Sequence, residues 1–321
     1  MGASPAPGIL YAVPMRILLA GGSGFLGRAL TRSLATSGHH VTVLTRGTVA
    51  AEAASPSASI RLVQWSPDGH EGPWTRACAN TDIVINLAGE SIAARRWTKV
   101  RKVALATSRM LPTRSLVRFI EHATPRPAAF VNASAVGIYG DRGDEVIVEE
   151  TCGGTDFLAE IACMWEREAQ RASSAATRVV VVRTGIVLDP REGALAKLLT
   201  PFRLFAGGPF GSGRQYMSWI HRDDWVSLAT WLVETPGLAG PFNATAPRPV
   251  TNGEFARTLG RVLGRPAFAR VPASVLRIAL GEMAGPLLLA SQRAIPAKAQ
   301  HSGFRFAYPD LEAALRQLLE R

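Results

Sequence analysis

Met15-Arg-Ile-Leu-Leu-Ala-Gly-Gly-Ser-Gly-Phe-Leu-Gly27 is the stretch that decides the fold. An apolar run reads as a buried strand. Gly21, Gly24 and Gly27 follow at intervals of three, and a helical pattern begins at once through Phe25, Leu26, Ala29, Leu30 and Leu34. A strand that turns through glycines into a helix aims free backbone N–H groups and the positive end of the helix dipole at one point. Such a point suits a pyrophosphate. Gly21 permits the tight turn, Gly24 lets phosphates approach the backbone, and Gly27 lets the helix pack close to the strand. The strand–turn–helix context is what gives a glycine motif of this kind its meaning.

The second strand, within His39–Arg46, ends in Thr45-Arg46. A dinucleotide site for NAD commonly carries an acid there, on the ribose 2′-hydroxyl. No Asp or Glu occurs between Ala20 and Glu52. A guanidinium can pair with a 2′-phosphate through two parallel bonds, where a carboxylate would repel it. NADP(H) is therefore expected over NAD(H), against the plain alternative that Arg46 is one more surface arginine.

With 321 residues, 47% hydrophobic and 19% charged, the chain has globular composition and room for an α/β domain with an appended lobe. The net charge of +11 raises the question of nucleic acid. Lysine occurs only at 99, 102, 197 and 298, and the arginines are scattered with no one-sided basic row interleaved with aromatics, so no nucleic-acid partner is expected. Cys78, Cys152 and Cys163 form no CxxC, the histidines are dispersed, and no metal site is expected. A reducing, cytoplasmic setting fits. Residues 1–14 read as a loose arm and not as a signal peptide. Residues 275–290, the most apolar late segment, are broken by Arg277, Glu282 and Pro286, so no membrane span is expected.

Strands are predicted at 15–20, 40–45, 61–65, 82–88, 128–134 and 178–187, and helices at 24–37, 98–122 and 156–174. Residues 47–60 read as a mobile loop. This alternation predicts an α/β fold with a doubly wound, parallel Rossmann-type sheet and a small C-terminal α-rich lobe. The dinucleotide-binding domain is placed at 15–190, its sheet completed by parts of 215–245. A substrate lobe is placed at 191–321, with 266–316 a helical domain. Within that lobe, 207–213 reads as a flexible loop and Asp223 or Asp224 as the cap of a helix to about Val233. Thr251-Asn-Gly-Glu254 reads as a capping box, and 310–319 as an amphipathic helix.

Asp82-Ile-Val-Ile-Asn-Leu-Ala-Gly89, Ala133-Ser-Ala-Val-Gly-Ile-Tyr-Gly140 and Trp219-Ile-His-Arg-Asp-Asp224 join the glycine loop in a familiar order. Together they resemble the NAD(P)-dependent epimerase/dehydratase family, the extended short-chain dehydrogenase/reductases, from Met15 to about Asn243. Asn86–Ile92, Arg96-Trp97, Ser108-Arg109, Trp165-Glu166, Arg183–Val187 and Ser218–His221 resemble an atypical branch of it, predicted nucleoside-diphosphate-sugar epimerases that end in a domain of unknown function. The resemblance implies NADP(H), with Leu87, Ala88, Gly89 and Ala133 joining Gly21, Gly24, Phe25, Leu26, Gly27, Thr45 and Arg46 around it.

Chemistry in that family needs a tyrosine with a lysine four residues on, which lowers the tyrosine pKa and holds the nicotinamide ribose. The tyrosines are 11, 139, 216 and 308, followed four residues later by Met15, Gly143, Ile220 and Glu312. Counting back from Glu166 puts Leu158 and Ala162 where the pair belongs. Two readings stay open. In one, an oxidoreductase or epimerase site is rebuilt from Ser134, Tyr139 and His221, with Arg96, Trp97, Gln215, Ser218 and Trp219 lining a pocket for a small polar substrate such as a nucleotide sugar; Glu149 and Glu150 face the same cleft or are a solvated acidic pair. Tyr139, Trp97 and Trp219 serve equally as packing residues, and His221 as a structural hydrogen-bonder. In the other reading the protein binds NADP(H) as a sensor or interaction protein, without the chemistry. A homodimer is compatible with either.

Overall fold

The computed structural model describes residues 14–49 and 59–320. Seven strands form one fully parallel sheet: β1 (Arg16–Ala20), β2 (His40–Thr45), β3 (Ile60–Gln64), β4 (Ile83–Asn86), β5 (Ala129–Ala135), β6 (Arg178–Thr184) and β7 (Gly240–Ala244). Their spatial order is β3-β2-β1-β4-β5-β6-β7, so strand order reverses between β1 and β4. A ligand crevice opens at such a reversal, beyond the carboxyl ends of the strands.

The period of two in β1 explains the layering. Ile17 and Leu19 point to one face, where α1 (Phe25–Thr36) supplies Leu30 and Leu34. Leu18 and Ala20 point to the other, where α2 (Lys99–His122) supplies Leu116, Val117 and Ile120 and α3 (Phe157–Gln170) supplies Ala169. Beyond the exposed Arg16, the four β1 side chains Ile17 to Ala20 are buried, as a central parallel strand requires, and each large one contributes roughly 1.5–3 kcal/mol.

Two further helices, α4 (Gly193–Arg203) and α5 (Arg222–Glu234), follow β6. Trp225, Leu228 and Leu232 of α5 join the α1 face of the sheet. Beyond β7 come α6 (Asn252–Leu263), α7 (Ala273–Leu280) and α8 (Leu311–Leu319). Leu195 and Leu199 of α4, Phe255 and Leu259 of α6, and Leu311, Leu315 and Leu318 of α8 enclose Trp219 in a second core.

Several expectations are corrected. The strand expected over 178–187 is two strands. A Cβ on Gly185 would collide with the carbonyl of Ser218, so the chain bends there, and Ile186–Leu188 leaves the sheet to pair with Trp219–His221. α4 was not anticipated; Pro201 lies within it, and Gly193 precedes its apolar repeat. The 207–213 loop is pinned, with Ala269 N–H on the Gly207 carbonyl (3.0 Å), Val271 N–H on Pro209 (3.0 Å) and Gly211 N–H on Val271 (2.9 Å). α5 is capped by His221 and not by Asp223 or Asp224: its Nδ1 accepts the Asp223 N–H at 3.0 Å. Asp224 instead receives the N–H groups of Ala307 and Tyr308 at 2.8 and 2.9 Å, tying the C-terminal segment to α5. The capping box at Thr251 and Glu254 is formed as expected. The N-terminal arm, apart from Pro14, and positions 50–58 of the 47–60 loop lie outside the described residues. Among the described residues no helix is long and apolar enough to cross a membrane, and no His, Cys, Asp and Glu cluster is placed to hold a metal ion.

Candidate functional site

The turn between β1 and α1 is built by exclusion. Gly21 adopts φ +84°, and a Cβ there would lie 2.6 Å from the Leu87 carbonyl carbon and 2.8 Å from the Ala88 nitrogen. Only glycine lets this turn seat against the one that follows β4. A Cβ on Gly27 would fall inside contact distance of the Gly21 carbonyl oxygen and 2.7 Å from the Gly22 Cα, so α1 packs on its own entry turn. Gly22, to which sequence reading gave no role, leaves room for Val43 in β2, 2.6 Å from its Cβ position. Gly24 differs from these three. It is the exposed N-cap of α1, and the nearest atom to its Cβ position is the Gly21 carbonyl oxygen at 3.2 Å. Its open side faces where a ligand would approach the helix N-terminus. No side chain caps α1 and its first turn holds no acid, so the N–H groups of Phe25 and Leu26 are available to an anion.

At the end of β2, Thr45 Oγ1 accepts the Gly47 N–H at 3.2 Å and shapes the bend that carries Arg46. Arg46 is exposed and makes no ion pair among the described residues.

Asn86 is fully buried at the end of β4. It donates to Asn132 Oδ1 at 2.7 Å and to Thr113 Oγ1 at 2.8 Å, and its own Oδ1 accepts the Ala88 N–H at 3.1 Å. Asn132 in turn donates to the carbonyl of Ala133 at 2.8 Å. These bonds set Leu87-Ala88-Gly89 and the end of β5 in register beside the glycine turn. Against Gly89 lies Arg109 of α2, whose Cγ and Cζ are 3.3 Å from where a Cβ would be. Its guanidinium donates to the carbonyls of Leu105 and Glu90, both at 3.0 Å, and lies 5.3 Å from the ring centroid of Trp165. It pairs with no carboxylate among the described residues, for Glu90 is taken by Arg101. Burial, with the repulsion of Arg101, pushes Arg109 down to about 10, so it stays charged near neutrality. A largely buried cation with no carboxylate partner among the described residues, beside this turn, can accept an anion. Sequence reading noted Ser108-Arg109 only as a motif; nothing in its spacing says that the side chain folds back onto Gly89.

Ser134, Tyr139, Glu149 and Glu166 belong to one network around Arg183. Ser134 donates to Glu166 Oε1 at 2.6 Å, and Arg183 binds both Glu166 oxygens, at 2.9 and 2.8 Å. Arg183 also donates to the Tyr139 hydroxyl at 2.9 Å, and that hydroxyl donates to Asn243 Oδ1 at 2.7 Å. Glu149 receives the Asn243 N–H at 3.0 Å. Glu149 is thus buried and Glu150 exposed, which parts the acidic pair. Tyr139 is 0% exposed, and burial raises its pKa. Its side chain offers no surface to a substrate. The positions expected for the acid/base pair are apolar packing: Leu158 lies against Gly137, and Ala162 packs with Tyr139 and Ile147.

The expected pocket-lining residues do not converge. His221, 0% exposed, stacks on Tyr308 with ring centroids 4.0 Å apart and places Nε2 2.8 Å from Gln317 Oε1. Full burial removes it, like Tyr139, from contact with the crevice. Trp219 is also fully buried, in the C-terminal core, with Nε1 donating to the Arg248 carbonyl. Gln215 donates to the carbonyls of Phe210 and Leu288, and Ser218 to that of Gln292. Arg96 binds the carbonyls of Ile278 and Ala279 at the end of α7, and Trp97 packs on Phe157, 5.1 Å between centroids. Of these five, Arg96 reaches across to the C-terminal segment, Gln215, Ser218 and Trp219 bond within that segment, and Trp97 packs in a cluster that also holds Phe157 and Met283.

Comparison with known proteins agrees with this architecture. Residues 17–244 match the model of the NAD dependent epimerase/dehydratase family, and residues 271–318 match a domain of unknown function (DUF1731). The chain is 40% identical over 306 residues to the epimerase family protein YfhF of Bacillus subtilis, covering 95% of this chain and 98% of that one. A crystal structure of human epimerase family protein SDR39U1 (isoform 2) with NADPH superposes with a TM-score of 0.85 at 35% identity, covering 96% of this chain and all of that one. A structure of the nucleoside-diphosphate sugar epimerase from Corynebacterium glutamicum gives a TM-score of 0.75 at 34% identity, covering 96% of this chain and 58% of that one.

Proposed function

Because the chain belongs to the NAD dependent epimerase/dehydratase family, we propose that it binds NADP(H) in the crevice between β1 and β4 and works there as an epimerase-like oxidoreductase on a small polar substrate, with a nucleotide sugar the first class to test. The observation that carries the reading is the cradle itself. Three glycines shape a capless helix N-terminus, and no acid stands anywhere on the first two strands or α1.

In this reading the N–H groups of Phe25 and Leu26 hold the pyrophosphate, with Gly21, Gly24 and Gly27 making room. Thr45 and Arg46 hold the 2′-phosphate. Leu87, Ala88 and Gly89 back the ribose, Ala133 lines the inner end, and Arg109 supplies the cation that the family places on the helix after β5. The cofactor, when bound, supplies or accepts a hydride. Ser134 is the polar side chain at the β5 end nearest this chemistry. Its proton is committed to Glu166, so it presents lone pairs and is suited to orienting a substrate hydroxyl. The unbridged cysteines accord with a cytoplasmic protein.

The burial of Tyr139 and His221 favours a second reading, in which NADP(H) is bound without turnover and the lobes report its occupancy. One series separates the two. Calorimetric titration with NADPH and NADH comes first, with Arg46→Asp as the control. NADPH is expected to bind at a single site, and Arg46→Asp to weaken NADPH at least about tenfold more than NADH, the worth of one charge-assisted bond. Equal losses for both cofactors would remove Arg46 from the 2′-phosphate. Screening sugar nucleotides and carbonyl compounds for NADPH oxidation comes next; binding without oxidation of any of them selects the second reading.

A further inference from the structure

A second cleft, lined by arginines, lies away from the crevice. It encloses about 430 Å³, and none of its lining comes from the β1–α1 turn, the 87–89 turn or the end of β5. Arg214, Arg257 and Arg270 converge on it from three chain segments, with Ser212, Thr251 and Phe268 between them, and no carboxylate lines it. The contrast with the larger cleft beside α1, about 620 Å³, is instructive. That one is also lined by arginines, but Arg28 pairs with Glu192, and Arg222 with Asp189 and Asp223. Three carboxylates thus offset most of the charge of its four arginines from within.

The smaller cleft has no such relief. None of its three arginines forms an ion pair among the described residues. Glu254, next in sequence to the lining residue Gly253, feels Arg257 but is engaged by the N–H and hydroxyl of Thr251 at 2.7 and 2.8 Å. Arg270 is held by the Ser212 carbonyl, which fixes its direction while leaving other donors free. Three like charges on one cleft raise one another's energy, and an anion of charge two or more relieves it. Phe268 is 78% exposed on the same wall, a flat apolar face beside the cations.

We propose that this cleft binds the phosphate or diphosphate group of a small organic ligand, whose planar part rests on Phe268. The site stands without the cofactor, which serves in the test only to block the crevice; if NADPH does not bind, the Arg257→Gln, Arg270→Gln double variant still separates this cleft from the crevice, with an unchanged Tm as proof of folding. The test is a calorimetric titration at low salt with pyrophosphate and with ADP, on protein saturated with NADPH so that the crevice is closed to both. Both probes are expected to bind, more weakly as salt rises. The Arg257→Gln, Arg270→Gln double variant should weaken both by about tenfold or more, with NADPH affinity unchanged as proof of folding. Phe268→Ala should weaken ADP by about tenfold and leave pyrophosphate alone. No binding of either probe, or equal binding by the double variant, overturns the site. ADP binding that ignores Phe268→Ala overturns its planar half.

Discussion

Gly24→Ala and Gly27→Ala should have opposite signatures, and the difference follows from distances. At Gly24 the backbone has φ −75°, which alanine adopts freely, and the nearest atom to the new methyl is 3.2 Å away. Unfolded-state entropy favours the substitution by roughly 0.4–1 kcal/mol and the poorer N-cap opposes it by a similar amount, so thermal stability should move little. The methyl, however, stands over the helix N-terminus. Keeping a pyrophosphate from two backbone N–H groups at about 1.5 kcal/mol each forfeits about 3 kcal/mol, roughly two orders of magnitude in Kd. At Gly27 the methyl meets the Gly21 carbonyl oxygen and the Gly22 Cα at 2.7 Å, and backbone cannot rotate away. α1 must shift, carrying Leu30 and Leu34 off the sheet, at a cost of about 1–3 kcal/mol of stability. Paired measurements of Tm and NADPH affinity on both variants check this. NADPH binding by Gly24→Ala within about threefold of the parent, or an unchanged Tm for Gly27→Ala, would refute the division of labour between the two glycines.

Three further outcomes are expected. Arg109→Met removes a largely buried cation that has no anion, so it should raise the Tm of the ligand-free protein while weakening NADPH and NADH alike by about tenfold; calorimetry and thermal melts read both. Glu166→Gln leaves Arg183 uncompensated among buried groups and should lower stability by about 3–5 kcal/mol in urea unfolding, provided the fold survives. His221 accepts a backbone N–H on Nδ1, and burial lowers its pKa, so only the neutral ring fits. The unfolded chain then binds the extra proton first. Stability from this group is complete above about pH 6.5 and is lost as pH falls below it toward the lowered folded value. His221→Asn, which keeps a capping oxygen, should flatten the fall in Tm between about pH 7 and 5.5 relative to the parent.

The sheet, its strand order reversal and the glycine cradle were legible because they depend on local signals. Apolar runs of strand length, glycines at a fixed interval and a missing acid on β2 are all visible without partners. The chemistry beyond the cradle was not, because it depends on where long side chains end. Arg109 lies twenty residues beyond Gly89 in sequence and against it in space. Tyr139, Ser218 and His221 sit on motifs that elsewhere border a substrate, yet here their polar atoms meet Asn243, Gln292 and Gln317, partners 104, 74 and 96 residues away. Nothing in the composition of either segment marks those pairings. The bend at Gly185 escaped for a related reason: the obstacle is a carbonyl from residue 218, and β-branched residues continue on both sides.

The buried Glu149 has a consequence for how the molecule is made. Its carboxylate is held by the N–H groups of Asn243 and Lys298, while Arg293-Ala294 lies in parallel beside Val146-Ile147. The segment that seals the end of the sheet domain therefore leaves the ribosome long after Glu149 does. The early strands can assemble during synthesis, but the hole around Glu149 closes only once that later segment has emerged. Until then the nascent protein carries an open acidic seam, and nonsense truncation before residue 298 should yield a product recognised by quality control rather than a smaller working domain.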